Sequence, residues 1–253
     1  GGAHGSSVLG AGNWSIYDED ASANRLLIDS SGNVGIGTSS PLGSLHVESS
    51  GSTPIYLTST NATSTYRNWI IYPNSTVNGD LDIKQSDARA GNPASAGTSA
   101  LYIDADRNVG IGTNAPGANL VVARTNGNPS LWLHRLDSSI ESGNALGDLE
   151  WVGDNDGAAD IVGRIRTVAS SNWATDDQPT DMTFETTPDG TNALTEKMRI
   201  TEAGNVGIAT SAPDGLLHVF TSSAGVTASS NADELILESS AHAGLSILSG
   251  TSS

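Results

Sequence analysis

The chain has 253 residues, and its 28 Asp and Glu outnumber its 11 Lys and Arg, which gives a formal net charge of −17 and a pI near 4.3. No basic stripe is present to hold phosphate groups, which argues against nucleic-acid binding, and anionic membrane surfaces would repel the chain. The sequence contains no cysteine, which excludes disulfides and thiol catalysis. It also has no apolar run near the roughly 18 residues of a membrane span, so we expect no membrane insertion.

The apolar content is low for a chain with this charge. Leu, Ile, Val and Phe account for 52 of the 253 residues, close to the level at which highly charged chains do not fold alone. Alternating strands and well-defined turns nevertheless recur throughout the sequence. We therefore expect burial between chains, because a homo-oligomer can complete a core that a monomer lacks.

A ten-residue segment, called the box below, occurs three times. Box one is residues 32–41, box two is residues 107–116 and box three is residues 204–213. Each contains Asn-Val-Gly-Ile, ends in proline and is followed by a short apolar strand. Each is also preceded by an alternating strand that ends in a polar turn. A repeat of this kind governs the prediction of the fold.

The composition of box one explains its structure. Gly32 and Asn33 form a turn easily, since both residue types tolerate a positive φ. Val34 and Ile36 alternate with glycines, which predicts a strand, and glycine on one face of a strand usually marks the close approach of another backbone. Pro41 ends the strand because it lacks a donor. One such unit has too little apolar surface to fold alone.

Between the boxes, short alternating runs joined by Gly, Pro, Asn and Asp turns predict antiparallel all-β modules without helices. The predicted strands include residues 54–58, 66–72, 81–84, 130–136, 146–152, 161–168, 181–186, 234–238 and 245–248, with turns at 78–80 and 188–190. Val34 and Val109 are 75 residues apart, whereas Val109 and Val206 are 97 apart. This unequal spacing argues against a regular solenoid. We divide the chain into an N-terminal strand with box one (1–50), a β module with box two (51–122), a larger module with box three (123–219) and the start of a further module (220–253).

The boxes, with the lead-in Thr195–Ile200, resemble the tail-fibre and tailspike proteins of tailed bacteriophages, in which segments of the form GNVGIGT..P...LHV recur. The match extends over essentially the whole chain. It implies an elongated, intertwined, parallel homotrimer with an apolar axis, located in the extracellular virion and active in host attachment. Ala209 departs from the family pattern, where glycine stands. Nothing resembles the endosialidase-type chaperone domain that often follows such fibres, so we expect a fragment.

This resemblance implies that the apolar side chains of the boxes face the shared axis. These residues are Val34, Ile36, Val109, Ile111, Val206 and Ile208. The expected partners are two further copies of the chain, other tail-fibre proteins, and a glycan or protein receptor on the host cell.

Two features of the sequence could bind a metal, but each fits another role better. In the acidic turn at residues 154–160, neither the position of the glycine nor the residue at the twelfth position matches an EF-hand loop. The turn therefore favours a solvated hairpin. His46 and His218 occupy the same position after their boxes and could meet on a trimer axis, but Val121 replaces them after box two, which favours packing. We predict no metal and no cofactor.

Catalysis is not expected, although many tailspikes degrade glycans with paired carboxylates. The candidate carboxylates are Asp18, Glu19 and Asp20, then Asp176 and Asp177, and Glu141 with Asp148. All lie in turn-like sequence contexts, where acidic residues are common. A glycan-degrading tailspike domain therefore stays an alternative, as does a subunit of a bacterial surface filament or adhesin unrelated to phages.

Several aromatic residues could stack on sugar rings: Tyr66, Trp69, Tyr72, Trp132, Trp151 and Trp173. Trp69 and Trp132 lie in predicted strands, which favours the core. Trp173 lies in a predicted loop and is the candidate for contact with a glycan.

Overall fold

The computed structural model describes residues 6–9, 12–59, 66–154, 157, 159–229 and 234–246, and only the backbone of residues 6–9. Within these ranges the protein is all-β, as predicted, with 18 strands in three sheets and no helix. The described part accordingly has no helix that could cross a membrane. The chain forms two compact units, Gly1–Leu131 and Trp132–Ser253. The division into four segments stays a prediction.

Every sheet has its strands in chain order. The first sheet contains β1 (Ser6–Leu9), β2 (Asn13–Asp18), β3 (Ala23–Ile28), β4 (Val34–Ile36) and β5 (Leu45–Val47). The second sheet contains β6 (Ile55–Leu57), β7 (Trp69–Pro73), β8 (Leu81–Ser86), β9 (Gly97–Ile103), β10 (Val109–Ile111) and β11 (Leu120–Val122). The third sheet contains β12 (Ala145–Gly153), β13 (Asp160–Ala169), β14 (Thr180–Thr186), β15 (Thr195–Ile200), β16 (Val206–Ile208), β17 (Leu217–Phe220) and β18 (Leu235–Glu238).

The three boxes form the same supersecondary unit. The box strand β4, β10 or β16 pairs antiparallel with the strand before it and parallel with the strand after it. The modules are thus antiparallel, as predicted, up to each box. Parallel pairing after the box was not anticipated, because alternation of side chains carries no information on strand direction.

Two predicted strands are wrong or only partly described. Residues 130–136 form no strand, since alternation alone does not supply the neighbouring strand that a ladder needs. Of residues 245–248, Leu245 and Ser246 are not in a strand and the other two lie outside the described residues. The turns at 78–80 and 188–190 are confirmed, with Gly79 and Gly190 at φ +93° and +79°.

Candidate functional site

The turn that leads into each box is closed by hydrogen bonds from the box asparagine, two in boxes one and two and one in box three. In box one the Asp29 carboxylate accepts the backbone N–H of Asn33 at 2.9 Å and its side-chain amide at 3.0 Å. Asp104 and Asn108 repeat both bonds in box two, and the Thr201 hydroxyl accepts the Asn205 N–H in box three. The backbone N–H of Asn33 and its other hydrogen bonds lower the pKa of Asp29 despite some desolvation. The asparagine side chain therefore stabilises the turn in boxes one and two, whereas in box three the turn bond is made by the backbone N–H of Asn205.

The residue before the box asparagine adopts a left-handed conformation, and in box two this residue is a strained arginine. Gly32 and Gly204 have φ values of +83° and +84°, but Arg107 occupies the same position at +70°. A side chain in this region costs about 1–2 kcal/mol, part of which the larger unfolded-state entropy of glycine offsets. We therefore expect Arg107→Gly to be about 0.5–1 kcal/mol more stable than Arg107→Ala in urea denaturation. Arg107→Ala is the control because it removes the guanidinium and keeps the strain; equal stability of the two variants would contradict the prediction.

The middle glycine of each box allows the following corner to fold over the sheet. A Cβ atom on Gly35, Gly110 or Gly207 would lie 2.8, 2.4 or 2.4 Å from the carbonyl oxygen of the box threonine, Thr38, Thr113 or Thr210. Each threonine hydroxyl in turn accepts the N–H two residues on. The predicted close approach of backbone is confirmed.

The position two residues further on adopts the left-handed conformation in every box. Gly37 and Gly112 have φ values of +78° and +74°, and a Cβ atom there would lie 2.2 and 2.3 Å from the carbonyl oxygens of Glu48 and Ala123. Ala209 adopts the same left-handed conformation at +58°. Box three thus retains the backbone geometry even where glycine is replaced.

The Val and Ile side chains of each box lie on one face of their sheet, and this face is apolar across several strands. In the first sheet Val34 pairs with Ile28 and Leu45, and Ile36 pairs with Leu26 and Val47; directly paired residues share a face. The equivalent face of the second sheet carries Leu101, Ile103, Val109, Ile111, Leu120 and Val122. That of the third sheet carries Met198, Ile200, Val206, Ile208, Leu217, Val219, Leu235 and Leu237. We call this surface the box face.

The box face is partly open in the single chain. Ile36, Ile111 and Ile208 are 42%, 44% and 39% exposed. By contrast, the middle glycines on the opposite face are buried, as are Leu27 and Tyr102, which pair with Gly35 and Gly110. Within the described residues, the buried apolar core comprises Leu27, Ile70, Tyr102 and Ala169. A single chain therefore buries the glycine face better than the box face.

In the third sheet the face opposite the box face holds a ladder of ion pairs. The Arg166 guanidinium donates two hydrogen bonds of 2.7 Å to Asp148. Arg164 binds Glu185, and Arg199 binds both Asp181 and Glu196. All three arginines are paired within the sheet, because each contacts carboxylates of neighbouring strands or of its own strand.

Two buried carboxylates in the second sheet were missed by sequence reasoning. Asp80 accepts hydrogen bonds from the N–H groups of three loop residues, Ser75, Thr76 and Val77, and from the Tyr102 hydroxyl. Asp82 accepts the hydroxyls of Ser75 and Ser99 at one oxygen, while its Oδ1 atom has no hydrogen-bond partner. The signal was present in the sequence: an acid in the middle of the alternating run 81–84, two residues after another acid, indicates a polar face.

The environments of these two carboxyls separate their pKa values. Burial raises the pKa of Asp82 above its ordinary value, against the hydrogen bonds from Ser99 and Ser75. Burial also acts to raise the pKa of Asp80, but its four hydrogen bonds outweigh burial and hold the pKa below its ordinary value. Both side chains are buried, so the pair has no access to a substrate and stabilises the loop between β7 and β8.

Asp80→Asn should therefore lower the free energy of unfolding at pH 7 by about 2 kcal/mol, because charge-assisted hydrogen bonds to backbone N–H groups are lost. The folded-state pKa of Asp80 is depressed, so its stabilisation is present above the unfolded-state pKa and is lost as pH falls through the folded-state value. The difference in the free energy of unfolding between wild type and Asp80→Asn should hence shrink below pH 3.8. Urea denaturation at pH 7 and pH 3 measures this difference, and the exposed Asp106→Asn is the control. A difference that is the same at both pH values would contradict the prediction.

The two histidines are part of the corner after the box. His218 is buried, and its Nδ1 atom accepts the Asp214 N–H at 3.3 Å, as His46 Nδ1 accepts the Leu42 N–H at 3.4 Å. The His218 Nε2 atom lies 3.0 Å from a Glu238 oxygen, and Asp214 completes a cluster of three potential metal ligands. Because Nδ1 accepts an N–H, the ring proton of neutral His218 lies on Nε2, where a metal would have to bind. This geometry favours a histidine–carboxylate contact over a metal site.

The candidate catalytic carboxylates are either paired with arginine or exposed in turns. Asp18 binds Arg25, and Asp148 binds Arg166; in each case the arginine lowers the pKa of the carboxyl. Glu19, Asp20, Glu141, Asp176 and Asp177 lie in exposed turns. In the acidic turn at 154–160, Asp154 accepts the Gly157 N–H, while residues 155, 156 and 158 lie outside the described residues.

The aromatic candidates differ in exposure. Trp132 is 82% exposed and not in a strand, so its assignment to the core was wrong. Trp69 and Tyr72 are half-buried in β7, whereas Tyr66 and Trp151 are exposed. Trp173 is half-buried, and its indole N–H donates to the Pro179 carbonyl at 3.2 Å. That bond fixes the ring in the loop, and sugar contact there stays a prediction.

No protein-family model and no curated protein matches this chain. Among solved structures, it is similar to the carboxy-terminal domain of the bacteriophage T5 L-shaped tail fibre, at 15% identity and a TM-score of 0.33, over 67% of this chain and 76% of that one. The form of that domain with its intramolecular chaperone is similar at 14% identity and the same TM-score, and this chain spans 52% of its length. A TM-score of 0.33 does not establish a shared fold.

Proposed function

We propose that this chain is a structural segment of a bacteriophage tail fibre that forms a parallel homotrimer and takes part in attachment to the host cell. The observation that carries the proposal is the box, which occurs three times with the same turn, corner and open box face. Val34, Ile36, Val109, Ile111, Val206 and Ile208 pack on the shared axis in this assembly. The fibre is intertwined and elongated, belongs to the virion, and joins other tail proteins.

The open box faces support assembly. Ile36, Ile111 and Ile208 are 42%, 44% and 39% exposed in the single chain. Contiguous apolar side chains at the surface mark sites where another protein surface binds.

The mechanism of attachment is multivalent. A trimer presents three identical surfaces, so weak contacts with a host glycan or protein gain by avidity when all three engage at once. Trp173 is the proposed contact for a glycan. The net charge of −17 keeps fibres apart in solution. We propose no catalytic role. If the following test contradicts the fibre, the alternatives are a glycan-degrading tailspike or a surface filament unrelated to phages.

Sedimentation velocity of the 25.8 kDa chain, with an unheated detergent gel in parallel, tests the proposal. A detergent-resistant species of three chains with high friction is expected. A compact monomer would overturn the proposal, since the box faces would then have to be covered within one chain. Incubation with host polysaccharide, followed by an assay for new reducing ends, tests the enzymatic alternative.

A further inference from the structure

The dipeptide Asn-Gly occurs twice in the chain, as Asn78-Gly79 and Asn126-Gly127. Asparagine is thermolabile in proteins, because the backbone nitrogen of the next residue can attack the carbon of its side-chain amide. Glycine favours this attack, since it has no Cβ atom and its backbone can approach other groups closely. Both asparagines are exposed, so the sequence and the solvent access do not distinguish them. The surroundings of the two glycines do.

The backbone of Gly79 is held in place by its own loop. Its N–H donates a hydrogen bond of 2.7 Å to the Asn74 Oδ1 atom. The Asp80 carboxylate fixes the same loop by accepting three of its backbone N–H groups. The Gly79 nitrogen can therefore reach the Asn78 side chain only after a hydrogen bond breaks and the turn opens.

Gly127 has no such restraint. It lies in the exposed segment that follows β11, and this segment belongs to no strand. Within the described residues, the Gly127 N–H donates no hydrogen bond. Its nitrogen is therefore free to approach the side chain of Asn126.

A positive charge lies beside this nitrogen. The Nε and Cζ atoms of Arg124 are 3.5 and 3.6 Å from the position of a Cβ atom on Gly127, which places the guanidinium within about 6 Å of the Gly127 nitrogen. Arg124 forms no ion pair with a carboxylate of the described residues. A cation at this distance favours the deprotonated form of a neighbouring group, and a deprotonated backbone nitrogen is the attacking species.

We propose that Asn126 is a self-modification site of this protein, at which the Gly127 nitrogen displaces ammonia from the Asn126 side chain and Arg124 promotes the attack. The Gly127 nitrogen loses its proton and forms a bond to the Asn126 Cγ atom, and the bond from Cγ to Nδ2 breaks as ammonia leaves. Water then opens the resulting succinimide ring at either carbonyl. The products are aspartate and isoaspartate, each of which adds a negative charge near Arg124. This inference goes beyond the proposed function and does not depend on it.

Peptide mapping by mass spectrometry, after incubation of the native chain at mildly alkaline pH, tests the inference. Asn126 should convert at least about tenfold faster than Asn78, because a hydrogen bond has to break at Asn78 first. In urea, which unfolds the turn at Asn78, the two rates should become similar. Asn128 is an internal control, since Pro129 has no N–H that could attack it. Equal rates at Asn78 and Asn126 in the native chain, or no isoaspartate at position 126, would overturn the inference.

The variant Arg124→Gln measures the contribution of the guanidinium. It should slow the conversion of Asn126 by about threefold, the effect of one charge about 6 Å away in water, and leave Asn78 unchanged. Arg124→Lys should keep most of the rate, and high salt should lower the wild-type rate towards that of Arg124→Gln, because salt screens exposed charges. A wild-type rate in Arg124→Gln, or an equal loss in Arg124→Lys, would overturn the electrostatic role of Arg124.

Discussion

Ile111→Asp is expected to convert the assembled protein into monomers. Ile111 lies in the box face of the second sheet, paired with Leu101 and Val122, and is 44% exposed in the single chain. In a homotrimer packed through this face, the remaining surface of the side chain is buried. An aspartate there would place three carboxylates close to the axis, where each loses hydration and repels the others.

The size of the effect follows from symmetry. Full burial of an isoleucine side chain contributes about 1.5–3 kcal/mol, so the 44% of Ile111 that is still exposed in the single chain accounts for roughly 0.7–1.3 kcal/mol on assembly. Burial of an unpaired carboxylate costs several kcal/mol more. With a total loss of about 3 kcal/mol in each of three chains, the assembly loses roughly 9 kcal/mol, or a factor of about 10⁶ in its equilibrium constant. We expect a trimer at micromolar protein concentration to dissociate after a loss of this size.

Sedimentation velocity at one protein concentration measures the outcome. Asn114→Asp is the matched control, because it adds the same charge to an exposed residue of the same box and should leave the mass unchanged. If Ile111→Asp sediments like the wild type, Ile111 does not face an axis and the box face is not the assembly surface.

Gly110→Ala is expected to destabilise the fold strongly for a change of one methyl group. The added Cβ atom would lie 2.4 Å from the Thr113 carbonyl oxygen and 3.1 Å from the Thr113 Cγ2 atom. The first contact is with backbone, so the corner of box two has to move away from the sheet. The cost should be at the upper end of the about 1–3 kcal/mol typical of overpacked sites.

Gly117→Ala is the control for this prediction. Gly117 lies just after the same box, has no heavy atom within 4 Å of an added Cβ and is not in the left-handed region. We expect the melting temperature of Gly110→Ala to fall by about 2–4 °C for each kcal/mol lost, while Gly117→Ala stays within about 1 °C of the wild type. Equal melting temperatures for both variants would show that the corner moves without cost.

The local structure of the boxes was predictable because it depends on neighbouring residues. Glycine and asparagine at 32–33 indicated the turn, and the alternation of Val34 and Ile36 with glycines indicated a strand that another backbone approaches. Both features are present, the first through the Asp29 hydrogen bonds and the second through the Thr38 carbonyl. Turn geometry and the absence of a Cβ atom act over a few residues, so a short sequence contains them.

Pairing between distant residues was decided only by the tertiary structure. The parallel register of Val34 with Leu45, and the burial of Asp82 beneath the loop that carries Ser75, depend on how the chain returns after a corner or a hairpin. Trp132 also shows that alternation does not predict pairing. Its alternating surroundings predicted a buried strand, but in the described chain no strand pairs with it. Alternation defines which side chains share a face, but burial of that face requires a partner surface. In this protein the sequence by itself determined the repeated turns, short strands and glycine contacts, and the tertiary structure alone decided strand direction, buried polar contacts and which apolar faces stay open.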